Sequence, residues 1–299
     1  MKSTGELVAT LQRIHVVSKA KRPQESSTPE KTNVVQLPIW PDVVRGVPNV
    51  ALRSALFGAI KKGARAYLER QVIHSVTGLS IIYTGARLDQ GDLSTWETVL
   101  HIVRTQALGT ECRATAYHLL KLLGLTDSGI NRKALERRLS RMKATGIEVK
   151  VGRYSYEGSL IDEVYRDEET REYIIRLNPK LHALFAADQF TQIDWRVRQT
   201  LEGHQLAQWA HGFYASHAEP FPLKIETLLK LCGSEQHVLT DFTKKLRKAL
   251  DAVMQASEAH GEHFAYVIVD GLVHVQKKPS KAQQKHLNKK ISKLKTPRT

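Results

Sequence analysis

Two histidines flanking a tyrosine are the side chains whose spacing comes nearest to catalytic chemistry. His211, Tyr214 and His217 fall within one short segment. A nicking enzyme needs metal-binding histidines beside a nucleophilic tyrosine, because the metal polarises the phosphate that the tyrosine attacks. The apolar periodicity predicts a helix over residues 193–216, on which His211 and Tyr214 are three positions apart while His217 lies beyond the end. A capping or core role is therefore favoured over a metal site.

Other catalytic signatures are missing from the sequence. It contains no G-x-x-x-x-G-K-[ST] phosphate loop, no H-E-x-x-H motif and no Cys-x-x-Cys pair. Cys112 and Cys232 are far apart and indicate neither a zinc cluster nor a disulfide framework. His260 and His263 fall in a polar loop, where solvated side chains are the favoured interpretation. We predict a protein that is not an enzyme and that needs no metal or cofactor.

Composition excludes some classes of protein and favours one kind of partner. The 299 residues include 45 Lys and Arg against 30 Asp and Glu, which gives a formal net charge of +15. A hydrophobic fraction of 41% is enough for folded cores. No apolar run is long enough for a membrane-spanning helix, and no secretory signal is present. We predict a reduced, cytoplasmic protein whose positive charge indicates a polyanionic partner such as nucleic acid.

Much of the positive charge lies at the C-terminus. Residues 276–299 hold nine Lys and Arg and no Asp or Glu, which predicts a disordered tail with sequence-blind attraction to phosphate. At the other end, residues 6–19 fit a short amphipathic helix and residues 20–33 a flexible linker. The body carries two compact basic clusters, over residues 130–150 and 240–250, which indicate placed rather than general charge.

Hydrophobic periodicity around the first basic cluster predicts two helices followed by strands. One helix ends at Gly124, and a polar turn leads to a second helix with Leu135, Leu139 and Met142 on its apolar face. Strands are predicted near residues 147–151, 153–165 and 171–177, followed by a short helix to Phe185. Upstream, the patterns predict helices over residues 49–62 and 93–105 and a hairpin of residues 72–76 and 79–83.

The same order of elements recurs about 109 residues later. Residues 118–124 are HLLKLLG and residues 227–233 are TLLKLCG. Each is followed by a polar turn, a basic helix and a β-hairpin, and the second hairpin turns at Asp270-Gly271, a strong two-residue turn signal. Helix, turn, basic helix and hairpin is the order of a winged helix-turn-helix, whose second helix can lie in a DNA major groove.

We therefore predict an α+β fold of two tandem winged helix-turn-helix domains, with a flexible N-terminal segment and a basic C-terminal tail. The predicted divisions are an N-terminal segment at 1–33, a linker at 34–47, a first domain at 48–187, a second at 188–277 and a tail at 278–299. The predicted DNA-binding residues lie on the outer faces of the two basic helices: Arg132, Lys133, Arg137, Arg138, Arg141, Thr243, Lys244, Arg247 and Lys248. The alternative is that these faces only expose charge to water.

Several segments resemble the TrfA-type replication initiators of broad-host-range plasmids. They are QLPIWPDVVRGVP at 36–48, NVALRSALF at 49–57, WETVLH at 96–101, LAQWAHGFYASHAEPF at 206–221 and LKIETLLKLC at 223–232. The resemblance spans about residues 34–277. It implies a non-enzymatic initiator with two winged-helix domains. Such a protein binds directly repeated sites, called iterons, in a plasmid origin, helps to open the adjacent AT-rich DNA and loads host replication proteins.

The resemblance also implies partners. They are the iteron duplex, AT-rich single-stranded DNA, the host replicative helicase, the host initiator, the sliding clamp and a second copy in a monomer–dimer equilibrium. Gln36-Leu37-Pro38-Ile39-Trp40 looks like the Gln-Leu-x-Leu-Phe peptide that docks bacterial proteins on the clamp. Gln36 would hydrogen-bond at the pocket edge, and Leu37, Ile39 and Trp40 would fill the pocket. The alternative is an extended arm that packs the same three side chains onto the protein's own first domain.

Two rival functions stay open beside the initiator. One is a transcriptional repressor with the same fold, which needs no clamp or helicase contact. The other is an RNA-binding or structural basic protein. Repeated, in-phase protection of a replication origin is the result that distinguishes the initiator from both.

Overall fold

The computed structural model describes residues 36–61, 63–107, 111–151, 154–186 and 188–295, without the side chains of residues 151, 154 and 289–295. All of these residues belong to one structural unit, Val35–Thr299. The helix predicted over residues 6–19 and the linker predicted over 20–33 lie outside the described residues. Helices and strands are mixed along the described chain, so the mixed α and β prediction is confirmed.

The helices and strands are mostly short. In chain order the helices are α1 (Asn49–Leu52), α2 (Gln90–Val103), α3 (Ala116–Leu123), α4 (Gly129–Lys143), a 3-10 helix (Pro179–Phe185), α5 (Trp195–Thr200), α6 (Gln205–Ala215), α7 (Ile225–Leu231), α8 (Leu239–Ala259) and α9 (Lys281–Lys295). The strands are β1 (Val44–Pro48), β2 (Phe57–Gly58), β3 (Tyr67–Val72), β4 (Leu79–Ala86), β5 (Leu88–Asp89), β6 (Cys112–Thr115), β7 (Gly146–Val151), β8 (Tyr154–Gly158), β9 (Glu163–Arg166), β10 (Glu172–Arg176), β11 (Phe190–Asp194), β12 (Leu223–Lys224), β13 (Phe264–Val269) and β14 (Leu272–Lys277).

The described strands are divided among several small sheets. Two three-stranded antiparallel sheets have the orders β6-β10-β9 and β12-β14-β13. A four-stranded sheet has the order β3-β4-β7-β8, and the pairs β1-β11 and β2-β5 complete the set. In the first of these sheets, β6 precedes the helices α3 and α4 and lies beside β10, the second strand of the hairpin β9-β10. In the second sheet, β12 precedes α7 and α8 and lies beside β14, the second strand of the hairpin β13-β14.

The helix pairs of the two repeats are built as their sequence patterns predict. Helix α3 ends at Gly124, whose φ of 73° lets its amide reach back to carbonyls of the last turn. Helix α4 buries Leu135, Leu139 and Met142. In the first repeat the hairpin β7-β8 follows α4 directly, but it pairs with β4. The later hairpin β9-β10 pairs with β6 instead.

The predicted helix over residues 193–216 is wrong. The segment consists of the end of β11, helix α5, a turn and helix α6. Asp194 ends the strand and its carboxylate accepts hydrogen bonds from the backbone N–H groups of Arg196 and Val197, which starts α5. Gly203 then has a φ of 86°, a left-handed conformation that separates α5 from α6.

Three other predicted elements have different bounds. The helix predicted over residues 49–62 ends at Leu52, because the chain beyond it is drawn into sheet contacts. Ser54 forms an isolated bridge with Ser75, and Phe57–Gly58 becomes β2. The first strand of the predicted 72–76/79–83 hairpin lies earlier, at Tyr67–Val72. The long strand predicted over 153–165 divides into β8 and β9.

Buried apolar side chains form two clusters. The first runs from Leu37 to Trp195 and the second from Val197 to Val275. Strand β1 pairs with β11 between Val44↔Asp194 and Pro48↔Phe190, and both strands contribute to the first cluster. The backbone N–H of Ala59 also donates to the carbonyl of Cys232 at 2.7 Å. Phe57 belongs to the first cluster and Ala59 packs against the second, so this segment contacts both.

The C-terminal segment contains a helix where we predicted disorder. Helix α9 spans Lys281–Lys295, and Gln283 in its first turn donates to the carbonyl of Ala215 at 2.8 Å. The same glutamine accepts a hydrogen bond from the ammonium of Lys277 at 3.0 Å. Nothing in the described part of the chain forms a helix both long and apolar enough to cross a membrane.

Candidate nucleic-acid interface

Helix α8 presents a basic face to solvent because its opposite face is anchored in the second core cluster. Phe242, Leu246 and Leu250 are fully buried and lie on successive turns of the helix. Lys244, Arg247 and Lys248 are exposed on the other side. Within the described chain, no carboxylate forms an ion pair with Arg247 or Lys248, and Lys244 contacts Asp241 only at 3.9 Å. These cations are free to meet an external polyanion.

Two further residues of α8 differ from the predicted set. Thr243 was predicted to face outward, but it is half-buried and its hydroxyl donates to the carbonyl of Leu239 at 2.8 Å. Lys245 was absent from the predicted set, yet it is exposed, with its ammonium 2.7 Å from Oε1 of Gln236. The sequence placed Lys245 in the basic cluster of residues 240–250, but it could not show which side of the helix is exposed to solvent.

Some arginines of helix α4 are exposed to solvent and others pack against the body of the protein. Arg132, Lys133 and Arg137 are exposed. The guanidinium of Arg132 pairs with Asp127 at 2.6 Å, and this hydrogen bond lowers the pKa of the Asp127 carboxyl. The exposed end of α4 is therefore basic, with one of its charges partly offset.

Arg138 and Arg141, also predicted to bind DNA, turn inward against α2. Nη1 of Arg138 lies 3.5 Å from the Thr95 hydroxyl, and Nε of Arg141 lies 3.3 Å from a carboxylate oxygen of Asp92. Asp92 is fully buried, and burial followed by the nearby charge of Asp89 raises its pKa to about 6, while Arg141 opposes that rise. The main contacts of these two arginines are structural.

The clamp-like segment packs on the body with two of its three apolar side chains. Leu37 and Trp40 are 2% and 1% exposed, whereas Ile39 is 72% exposed. The indole of Trp40 stacks on Phe185 at a centroid distance of 6.1 Å and donates to Nδ1 of His101 at 3.1 Å. This arrangement matches the extended-arm alternative for Leu37 and Trp40 but not for Ile39.

The histidines considered for a nicking site have packing roles. His211 and Tyr214 are buried in α6, and burial lowers the pKa of His211 to about 3, so its ring is neutral. Nδ1 of His217 lies 2.7 Å from the carbonyl of Phe213. Nε2 of His260 lies 2.9 Å from the Thr200 hydroxyl. Across the residues that the structure describes, no group of three or more His, Cys, Asp or Glu could hold a metal ion.

The hairpin β13-β14 turns at Asp270 and Gly271, whose φ values of 50° and 75° fit a type I′ turn. Residues 264–276 contain no Lys or Arg. Lys277 ends the hairpin, and burial lowers its pKa to about 8. The hairpin therefore offers little positive charge to a phosphate backbone.

A buried ion pair lies where the two core clusters meet. Nε of Arg198 on α5 is 2.8 Å from a carboxylate oxygen of Glu97 on α2, and both side chains are almost fully excluded from solvent. Arg198 also donates to the hydroxyl of Ser94 at 3.2 Å and to the carbonyl of Gln90 at 3.1 Å. Burial raises the pKa of Glu97 to about 7 against the attraction of Arg198. This cluster fixes α5 against α2.

Comparisons with known proteins cover most of the chain. A family model described as TrfA protein matches residues 5–277. A curated relative, the plasmid replication initiator protein TrfA of Escherichia coli, is 30% identical over 247 residues. The aligned part covers 80% of this chain and 63% of the relative, so the match spans less than two thirds of the relative's length.

Solved structures resemble the fold at low sequence identity. A crystal structure of domains 2 and 3 of RctB has a TM-score of 0.51 and 13% identity, and the similarity covers 77% of this chain and 99% of that chain. A second crystal structure of RctB domains 2-3 has a TM-score of 0.47 and 13% identity. The first likeness concerns the fold alone.

Proposed function

The chain belongs to the TrfA family, and on that premise we propose that it initiates plasmid replication by binding iterons in a replication origin. The observation that carries this proposal is the exposed basic face of α8, with Lys244, Arg247 and Lys248 on a helix fixed in the core. A rigid helix of this kind fits the major groove of DNA. We propose that the protein acts in the cytoplasm, by binding rather than catalysis, and without a cofactor.

We propose further that the two repeats are winged-helix units in tandem. Support comes from the matching strand orders β6-β10-β9 and β12-β14-β13 around the pairs α3-α4 and α7-α8. We propose that these units have the predicted domain bounds, residues 48–187 and 188–277, with one change. Because β11 pairs with β1, residues 190–194 go with the first unit.

The first unit is proposed to add a second DNA contact through the exposed end of α4. Arg132, Lys133 and Arg137 are the side chains available for it. Arg138 and Arg141 support that contact indirectly, because they hold α4 against α2. Two joined contacts raise each other's effective concentration, which strengthens binding to a site that both can reach.

The proposed partners beyond the iteron duplex are those that an initiator requires. They are AT-rich single-stranded DNA, the host replicative helicase, the host initiator, the sliding clamp and a second copy of the chain. Clamp docking through Gln36–Trp40 requires Leu37 and Trp40 to leave the core, since both are buried. The similarity to a plasmid replication initiator supports an initiator and gives no support to the transcriptional-repressor alternative.

Footprinting tests the proposed function directly. The purified full-length chain is incubated with the origin of its plasmid, and nuclease protection is mapped along both strands. We expect protection of directly repeated sites in one helical phase. A single protected operator at a promoter would favour the repressor, and uniform protection would favour a general basic binder.

Replacing Arg247 by alanine is expected to weaken binding to an iteron duplex by about 1–3 kcal/mol if the guanidinium contacts a guanine edge. Lys248→Ala, as a phosphate contact, is expected to weaken binding to all duplexes alike. Affinities for iteron and scrambled duplexes are measured at one salt concentration. An equal loss of affinity on both duplexes for Arg247→Ala would contradict the base contact.

Deleting residues 278–299 removes eight Lys and Arg. We expect weaker binding to every duplex and a flatter dependence of affinity on salt, because these charges act through counterion release. The ratio of iteron to scrambled affinity should stay nearly unchanged, since the specific contacts are assigned to the folded units. Titration of both duplexes at several salt concentrations measures this ratio, and its collapse on deletion would show that the tail contributes to specificity.

A further inference from the structure

A cleft of about 560 Å³ lies beside the basic face of α8. One wall consists of Ala59–Lys61, from the part of the chain that follows β2. Lys245 and Lys248 of α8 and the first turn of α6 also line the cleft. The apolar lining residues Ala207, Phe242 and Ala249 belong to the second core cluster, and Ala59 packs against it. The hydrogen bond from Ala59 to Cys232 ties the segment after β2 to the end of α7.

The cleft has a positive rim. Lys61, Lys245 and Lys248 are exposed and line it. Glu235, the acidic residue among those lining it, is engaged by the guanidinium of Arg87 at 3.0 Å. The first turn of α6 contains no acidic residue. Three ammonium groups thus face one carboxylate that is already neutralised, which suits a ligand carrying negative charge.

The position of the cleft relative to α8 points to one source of that charge. A helix in a major groove about 12 Å wide has a phosphate backbone along each flank. At 100° per residue, Lys245 and Arg247 lie on opposite flanks of α8, and the cleft opens on the Lys245 side. The neighbouring hairpin has no Lys or Arg over residues 264–276, so it supplies no competing cation for that backbone.

We propose that this cleft binds a backbone phosphodiester of the duplex whose major groove α8 contacts, with Lys61 and Lys245 as its ligands. The proposal rests on the proposed DNA-binding function and adds residues that the sequence analysis did not assign. Lys61 reaches the duplex from outside the second helix pair. The bound phosphate therefore connects two segments of the chain that are far apart in sequence.

The test uses the full-length chain with Lys61→Gln, and Lys180→Gln as a matched control, since Lys180 is an exposed lysine that does not line the cleft. Binding to an origin-repeat duplex and to a scrambled duplex is measured at several salt concentrations. We expect Lys61→Gln to weaken both complexes alike and to reduce the slope of log K against log salt by about 0.9, the value for one phosphate contact. Lys180→Gln should leave both the affinities and the slope unchanged.

A second measurement locates the phosphate. Repeat duplexes are prepared with a single neutral methylphosphonate at successive positions along each strand. The wild type should lose affinity at one linkage beside the α8 groove, and Lys61→Gln should lose nothing further at that same linkage. Unchanged affinity and slope for Lys61→Gln, or equal sensitivity of both proteins at every linkage, would overturn the proposal. A phosphate contact does not depend on base sequence, so either duplex can test the role of Lys61 in the cleft. Loss of the preference for origin repeats would contradict only the proposed function.

Discussion

Replacing Glu97 by alanine is expected to lower the free energy of unfolding by about 3–5 kcal/mol, the usual effect of breaking a buried ion pair. The loss is large because Arg198 would remain buried as an uncompensated cation, with only neutral acceptors such as Ser94 and the Gln90 carbonyl. Urea denaturation of the full chain above the pKa of Glu97, which is about 7, followed by circular dichroism, measures the change where the pair is ionised. Glu136→Ala, at an exposed glutamate of α4, is the control and should cost less than about 0.5 kcal/mol.

Glu97 also makes the stability of the fold depend on pH, and the direction of its pKa shift fixes the sign of that dependence. Burial raises that pKa from 4.5 to about 7, so between these values the folded chain binds a proton that the unfolded chain lacks. The contribution of Glu97 to stability therefore falls as pH rises from 4.5 to 7. Glu97→Gln lacks this titration, and its stability relative to the wild type should improve over that range. A parallel pH profile for the two proteins would contradict the assignment.

Replacing Trp40 by alanine is expected to cost about 3–5 kcal/mol of stability, as for other buried tryptophans. Its ring is 1% exposed, stacks on Phe185 and donates to His101, so its removal leaves a cavity and removes a buried hydrogen bond. The measurement is again urea denaturation of the full chain.

Ile39→Ala is the matched control for Trp40→Ala, because it lies in the same five-residue segment and is 72% exposed. It should change the stability by less than about 0.5 kcal/mol. A small effect of Trp40→Ala would mean that the segment leaves the body readily, as clamp docking requires. A large effect means that docking must work against the packing of Trp40 in the core.

Elements set by neighbouring residues were predictable from the sequence. Helix α4 follows from Leu135, Leu139 and Met142, and the hairpin turn from Asp270-Gly271. In each case the apolar period or the turn chemistry is complete within a few residues, so no distant contact is needed to decide it.

Elements set by distant partners were not predictable. The apolar pattern of residues 193–216 continues through Asp194 and Gly203, but pairing with β1 keeps residues 190–194 extended, and Asp194 caps the helix that follows. The periodicity cannot register a strand partner that lies so far away in the sequence. Residues 49–62 were mispredicted for a related reason, since Ser54 meets Ser75 in a bridge.

The sequence predicted which helices carry exposed basic residues better than it predicted which of those residues face solvent. The sequence placed basic residues on the outer faces of α4 and α8, and most of them are exposed. It could not show that the carboxylate of Asp92 pairs with Arg141, or that the hydroxyl of Thr95 lies beside Arg138. Nor could it bring Lys61 near Lys245, because that neighbourhood depends on contacts between segments far apart in sequence, such as the hydrogen bond from Ala59 to Cys232.

The pairing of β1 with β11 has a consequence for how the chain is made. Pro48 pairs with Phe190 and Val44 with Asp194, so β1 stays without its partner until the ribosome has synthesised the chain through residue 194. At about 5–20 residues per second, that delay is roughly 7–30 s. During translation Leu37 and Trp40 just upstream of β1 also wait, because Phe185 is synthesised only shortly before β11. The amino-terminal arm of the nascent chain thus remains exposed to other proteins for most of the time that the first half takes to emerge.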